Sequence, residues 1–244
     1  MKPEEYACMR AVEDNHWWYR ALHRLVLDAC ARYAPEKAHI VDVGCGTGGM
    51  AAHLMENHRV TGLDIAPEAV VFCQQRGMGR LVRADAGRLP VDDGVADVVL
   101  LLDVLYHSQV PDRAGVLAEA RRIAKPGGII IINVPAYQWL YSSHDVAVHT
   151  AHRFTRGEIN RLVKGADLEI ATSTYWNSLL LPAIVACRMV FRFLPDRGSD
   201  LDPDTPAWIN NTLGALMALE RSWMNVSNLP AGVSIFIVGR VPTG

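Results

Sequence analysis

The sequence predicts a doubly wound α/β fold, a mostly parallel sheet with helices on both faces. Three observations predict it. Apolar runs of strand length recur near 39–43, 59–63, 81–84, 97–102 and 129–134, with helical stretches between them. These runs are apolar throughout, as strands covered on both faces must be. The first run, Ile40-Val41-Asp42-Val43, ends in Gly44-Cys45-Gly46-Thr47-Gly48-Gly49, a glycine-rich turn from strand into helix.

The elements follow in order. A helical segment from Pro3 to Tyr33 precedes the first strand and forms an N-terminal cap over residues 1–34. After the glycine turn a helix runs roughly from Met50 to Asn57, with its first N–H groups pointing into the crevice. The second strand ends at Asp64 and the third at Asp85. A helix near 112–125 is stopped by Pro126-Gly127 before the strand Ile129–Val134. Thr155 begins another helix, with Glu158 completing a capping box. The sixth strand is Leu168 to Tyr175, and the last is Val233 to Gly239.

Residues 177–232 are far too many for a hairpin and read as a helical insertion. Ser178 to Leu194 is almost wholly apolar, with Arg188 and Arg192 near its end. Trp208 to Asn225 is amphipathic: Ile209, Leu213, Leu216, Leu219 and Trp223 recur near helical spacing. An acidic, proline-bearing loop, Pro195 to Pro206, lies between them. Three readings compete. The helices pack on the core or on a second copy in a homodimer; they form a lid over an apolar acceptor pocket; or they touch a membrane surface or a lipid-linked substrate, with Arg188 and Arg192 at lipid phosphates. The apolar part is short of a comfortable membrane span.

Composition sets outer limits. The 244 residues can bury a full core as one domain, 1–244. Half are hydrophobic, which excludes a disordered chain. A net charge of −2 gives no basic field, so no nucleic-acid partner is expected. Cys8, Cys30, Cys45, Cys73 and Cys187 are scattered without C-x-x-C spacing, which points to reduced thiols in a cytoplasmic protein and away from cysteine-bound zinc. No apolar run follows a basic start, so no signal peptide is expected.

The glycines fit two spacings. Gly44, Gly46 and Gly49 satisfy the G-x-G-x-x-G of dinucleotide binders. Gly44, Gly46 and Gly48 satisfy a tighter G-x-G-x-G. The neighbouring acids choose between them. Asp42 would repel a pyrophosphate and suits a cationic amino-acid moiety. Asp64 suits a ribose hydroxyl pair, and Asp85 an adenine amino group. Three acids and no phosphate-directed base point to adenosine joined to a sulfonium amino acid.

Five ordered segments carry a family likeness: Val41–Gly48, Gly62–Ile65, Ala84–Pro90, Ala96–His107 and Leu117–Gly128. Over roughly Ala38 to Val134 the chain resembles the class I S-adenosylmethionine (SAM)-dependent methyltransferases. The resemblance implies a seven-stranded Rossmann-like sheet whose last strand is antiparallel, and SAM as cofactor. By resemblance, Gly44, Gly46 and Gly48 line the methionine end, Asp64 the ribose, and Asp85 with Ala86 the adenine. Asp42, Cys45, Ile65, Asp103 and Tyr19 complete the expected cofactor set. The Asn/Asp-Pro-Pro-Tyr/Phe/Trp motif of base-flipping amino methylators is missing, which again disfavours nucleic acid.

Glu13-Asp14-Asn15-His16-Trp17-Trp18-Tyr19-Arg20 is similar to an E-x-x-H-W-W motif in one subset of bacterial methyltransferases. It reads either as a helix packing on the sheet or as a cap with an aromatic face on the sulfonium. In the second reading Arg20 or Arg24 meets the methionine carboxylate.

Histidines supply the candidate bases. His144, His149 and His152, with Asp145, leave the fifth strand at the edge that faces the ligand in open α/β sheets. They read as a general base with its orienting acid, as a metal site, or as a polar loop. His107 follows the fourth strand. Related O-methyltransferases read E-x-x-E-H there; this chain reads Asp103-Val104-Leu105-Tyr106-His107, and Tyr106 in place of the second acid argues against a metal. His107 is then a base or acceptor-orienting group, or a structural helix-terminal residue. The expected reaction is in-line methyl transfer from SAM to a small-molecule acceptor, an oxygen nucleophile, assisted by His107, His144 or His149. The alternatives are a non-catalytic SAM-binding scaffold and a nicotinamide-dependent oxidoreductase.

Overall fold

The computed structural model describes residues 3–191 and 205–243. Its strands are β1 (His39–Val43), β2 (Arg59–Asp64), β3 (Leu81–Arg83), β4 (Ala96–Leu102), β5 (Ala124–Pro135), β6 (Glu169–Trp176) and β7 (Ser234–Arg240). They form one seven-stranded sheet in the order β3-β2-β1-β4-β5-β7-β6. β7 lies between β5 and β6 and is antiparallel to both, while the remaining pairs are parallel. The carboxyl ends of β1 to β6 therefore share one edge, where open α/β sheets bind ligands.

The helices are α1 (Pro3–Val12), α2 (Trp17–Tyr33), α3 (Gly49–Leu54), α4 (Pro67–Gln75), α5 (Arg113–Ile123), α6 (Ser143–Ala147), α7 (Arg156–Gly165), α8 (Leu181–Phe191) and α9 (Ala207–Met224). α2 buries Leu22, Leu25, Val26, Ala29 and Cys30, one stripe at helical spacing, against Ile40, Leu100 and Ile131 of the sheet. The other face packs Leu117 and Ile123 of α5 and Ile159 and Val163 of α7 against Val41, Val99 and Ile130. α7 starts at the Thr155–Glu158 capping box that the sequence predicts.

Several boundaries differ from expectation for local reasons. The N-terminal cap is two helices, because the chain turns at 13–16 and His16 then caps α2 through its side chain. α3 stops at Leu54, where the His58 N–H turns back to the Leu54 carbonyl. β5 begins at Ala124, so Pro126 and Gly127 lie inside the strand, with Gly127 at φ +78°. β3 is not covered on both faces: Val82 and Arg83 are exposed on the outer edge strand.

The insertion divides. α9 packs along α2, where the Trp17 N–H donates to Asn210 Oδ1 at 2.9 Å and Arg221 meets Asp28 at 2.7 Å. The buried Glu220 carboxylate accepts the Ser178 and Leu179 N–H groups at 2.7 and 2.9 Å. α8 is largely exposed through Met189. Arg188 approaches Asp145 at 4.0 Å, an inward direction that does not serve a lipid phosphate. Arg192, Leu194 and the acidic loop up to Asp204 lie outside the described residues. No described helix is long and apolar enough to cross a membrane.

Candidate functional site

The glycine turn owes its shape to the tighter spacing. Gly44, Gly46 and Gly48 have φ of +74°, +55° and +79°, a region that costs other residues strain. A Cβ on Gly44 would come within 2.6 Å of Val104 Cγ2. The Gly44 and Cys45 N–H groups both donate to the Leu63 carbonyl, at 2.7 and 3.1 Å, which locks the turn to the end of β2. Gly49 is ordinary helical backbone at the start of α3. Cys45 places its sulfur 3.7 Å from that of Cys73 on α4.

Three buried or half-buried aspartates surround this turn. Asp42 is buried at the end of β1, and its pKa is pushed up to about 7 by burial, with Asp64 and Glu13 adding repulsion. Asp64 receives the Gly46 N–H on Oδ2 at 3.0 Å and the Ala66 N–H on Oδ1 at 2.9 Å. Burial raises its pKa as well, against the pull of those bonds. Asp103 follows β4 at φ +59°, accepts from Asn133 Nδ2 at 3.0 Å, and is pushed up to about 7 by burial. Asp85 is different: it is exposed, and its Oδ1 takes the Gly87 N–H at 2.7 Å. Ile65 is exposed beside Asp64, and Ala86 is half-buried beside Asp85. Acids that are costly to ionise, gathered at a turn open to close approach, suit a cationic adenosyl ligand such as SAM.

The N-terminal motif reaches this turn by a route the spacing does not reveal. α1 lies over it: Tyr6 Oη donates to Asp64 Oδ1 at 3.5 Å, and the Met9 sulfur sits 3.4 Å from where a Gly46 Cβ would be. Glu13 is buried, accepts from the Thr47 hydroxyl, and pairs with Arg76 of α4 at 2.6 Å. Arg76 Nε also donates to the Thr47 carbonyl at 2.9 Å. Tyr19 is half-buried, its hydroxyl pushed well above the usual range by burial and by the charges of Glu13 and Asp103. Trp18 packs against Trp176, with ring centroids 5.6 Å apart. Arg20 and Arg24 do not meet the turn; with Arg221 they line a groove of about 370 Å³ between α2 and α9. The guanidinium at the loop is Arg76.

The histidines separate. His107 and His149 face each other with ring centroids 5.8 Å apart, and Ser108 N–H donates to the His149 carbonyl at 3.0 Å. Burial pushes the His107 pKa down to about 4, so its ring is neutral near pH 7. The Gln109 N–H donates to its Nδ1 at 3.2 Å, which puts the ring proton on Nε2. His149 is held at φ +56°. His144 lies on α6. His152 is taken by Glu158 at 2.7 Å and packs edge-on to Phe154, at the start of α7. Among the described residues no three His, Cys, Asp or Glu side chains converge as a metal site.

Strain marks the same edge. Asp103 after β4, Tyr137 after β5 and Asn177 after β6 all have φ between +57° and +59°. Such conformations persist where surrounding structure imposes them, and they gather at functional sites. Tyr137 stacks on Tyr175 and Trp139, at 5.2 and 5.4 Å between centroids, and Trp139 is exposed.

Comparison with known proteins agrees with this geometry. Residues 41–132 match the family model described as a methyltransferase domain. The chain is 33% identical over 110 residues to the sterol 24-C-methyltransferase ERG6B of Gibberella zeae, covering 41% of this chain and 27% of that protein. It is 32% identical over 136 residues to the ubiquinone biosynthesis O-methyltransferase of Xanthomonas oryzae pv. oryzae, covering 49% and 56%. The chain thus spans from about a quarter to just over half the length of such curated relatives. Among solved structures, phosphoethanolamine N-methyltransferase 2 of Haemonchus contortus, in complex with SAM, superposes with a TM-score of 0.58 at 16% identity, covering 90% of this chain and 52% of that one. The matched segment contains the glycine turn, Asp42, Asp64, Asp85 and Asp103, and over residues 41–132 the chain is thus similar to the methyltransferase domain family.

Proposed function

We propose that the protein transfers the methyl group of SAM to an oxygen of a small-molecule acceptor. The observation that carries the cofactor half of this reading is the set of buried and half-buried acids, Asp42, Asp64 and Asp103, around a turn whose glycines allow close approach. SAM supplies an already activated methyl on a sulfonium, so alignment and exclusion of water can provide much of the rate. In this reading Asp64 accepts from the ribose hydroxyls, while Ile65, Asp85 and Ala86 hold the adenine. Gly44, Cys45, Gly46 and Gly48 border the methionine moiety, with Asp42, Asp103 and Tyr19 behind it.

The His107–His149 pair supports the oxygen acceptor. With its proton on Nε2, a neutral His107 donates to the acceptor hydroxyl and orients it. His149, beside it, is then the group that takes the acceptor proton. The exposed Trp139, at the end of the Tyr175–Tyr137 stack, offers an aromatic wall at the same edge.

The test is to incubate the purified protein with SAM labelled on the methyl group and a lysate of its own host. Label in organic-extractable or small aqueous products supports the proposal, and isolation of a methyl ether or ester establishes the oxygen. Label only in nitrogen or carbon products overturns the acceptor half. No label in any fraction, with SAM binding demonstrated, leaves a non-catalytic SAM-binding subunit as the reading.

A further inference from the structure

We propose that Glu13 is a cofactor-specificity residue: its carboxylate fills the side of the glycine turn that a dinucleotide's pyrophosphate would use, and its charge favours a sulfonium ligand. This rests on the SAM reading above. In dinucleotide folds the pyrophosphate sits where the helix leaves the turn. Here that place belongs to a protein carboxylate. A Cβ on Gly49, the first residue of α3, would collide with Glu13 Oε2, and the Thr47 hydroxyl donates to Glu13 Oε1. Gly49 completes the dinucleotide spacing in the sequence, yet in the structure its missing side chain admits Glu13.

The charge balance points the same way. Asp42, Asp64 and Glu13 stand around the turn against the Arg76 guanidinium, which Asp14 shares at 2.8 Å while also pairing with Arg10. Glu13 and Asp64 both make Asp42 harder to ionise, so its field reaches the floor of the site. A pyrophosphate would meet this excess of like charge, whereas a sulfonium relieves it. Glu13 comes from the segment that precedes α2, so the turn takes part of its charge from the E-x-x-H-W-W motif.

The experiment compares SAM with S-adenosylhomocysteine, which lacks the sulfonium charge but keeps the adenosine and amino-acid groups. Both are titrated calorimetrically into the wild type, Glu13→Gln and Glu13→Asp, with thermal unfolding recorded for each. Glu13→Gln is expected to weaken SAM about tenfold and S-adenosylhomocysteine less than about threefold. Glu13→Asp keeps the charge and so retains the wild-type ratio of the two affinities. NADH fluorescence is expected to stay unchanged on addition of wild-type protein. Equal weakening of both ligands by Glu13→Gln, no weakening at all, or NADH binding by the wild type overturns the proposal. Should Glu13→Gln not fold, an altered SAM-to-S-adenosylhomocysteine ratio in Glu13→Asp overturns it as well. A wild type that binds neither adenosyl ligand refutes the SAM reading itself, a result distinct from all of these.

Discussion

Asn133 Nδ2 donates to Asp103 Oδ1 at 3.0 Å, while Asn133 Oδ1 accepts from Trp176 Nε1 at 2.8 Å. One fully buried amide thus joins the ends of β4, β5 and β6 and fixes the left-handed Asp103 at the ligand edge. Asn133→Leu strands both partners in the interior. The expected loss is about 2–4 kcal/mol, read as a lower denaturant midpoint with an unchanged slope. A loss under about 0.5 kcal/mol would mean that Trp176 and Asp103 find other partners.

The contribution of Asp42 and Asp103 to stability should fall as pH rises from about 4 to 7, while His107 and His23, whose pKa values burial lowers to about 4, contribute in the opposite direction. Asp42 and Asp103 titrate near 7 in the fold because they are buried, against an unfolded value of 3.8. At these two sites the folded state therefore binds more protons than the unfolded state across that window, and the stability they contribute below the unfolded value is lost as pH climbs through the folded one. A cationic cofactor favours the ionised acids, so SAM affinity should rise over the same range. The difference in denaturant midpoint between the SAM-free wild type and Asp42→Asn at pH 5 and pH 8 checks the first point, with the variant expected to gain on the wild type at pH 8, and titrations of SAM at both values check the second.

The loop after β5 is held by a buried ion pair. Arg153 donates to Asp145 at 2.8 Å and to the Ala136 carbonyl at 2.9 Å, with both side chains almost fully enclosed. Removing one member leaves a buried charge unpaired. Arg153→Met is expected to cost about 3–5 kcal/mol, and the Arg153→Met, Asp145→Leu double variant to recover part of that loss. Chemical denaturation of the four proteins completes the cycle; simple additivity would contradict the pairing.

The histidines should differ in kinetics. His149→Gln is expected to lower kcat about 100-fold or more at neutral pH if the acceptor is a hydroxyl. His107→Asn keeps a donor, so its loss should be smaller and shared with KM. His152→Ala is expected to leave kcat within about twofold, because its partner is Glu158 at the start of α7. Steady-state rates with the acceptor found by methyl labelling test this order, and an equal effect at His152 would contradict it.

The parts legible in the sequence were those set by local rules. Strand positions followed from apolar runs, the turn from Gly44, Gly46 and Gly48, and the start of α7 from Thr155 and Glu158. What escaped depended on contacts distant along the chain. Glu13 and Arg76 are 63 residues apart, and nothing near Arg76 marks it as the guanidinium at the turn. Arg20 and Arg24 looked better placed because they adjoin the tryptophans, yet α2 turns them towards α9. The Asn133 bridge was hidden in an isoleucine-rich strand. His107 and His149 come together only because the loop after β5 folds back over the end of β4, pairing His107 with Thr150.

The most direct test of the central claim is calorimetric titration of SAM into the wild type and Asp64→Asn. Asp64 accepts two backbone N–H groups and is the carboxylate assigned to the ribose. Saturable one-to-one binding is expected for the wild type, and about ten- to a hundredfold weaker binding for a folded Asp64→Asn protein. No binding by the wild type, or equal affinity in both proteins, would contradict the placement of SAM at this turn.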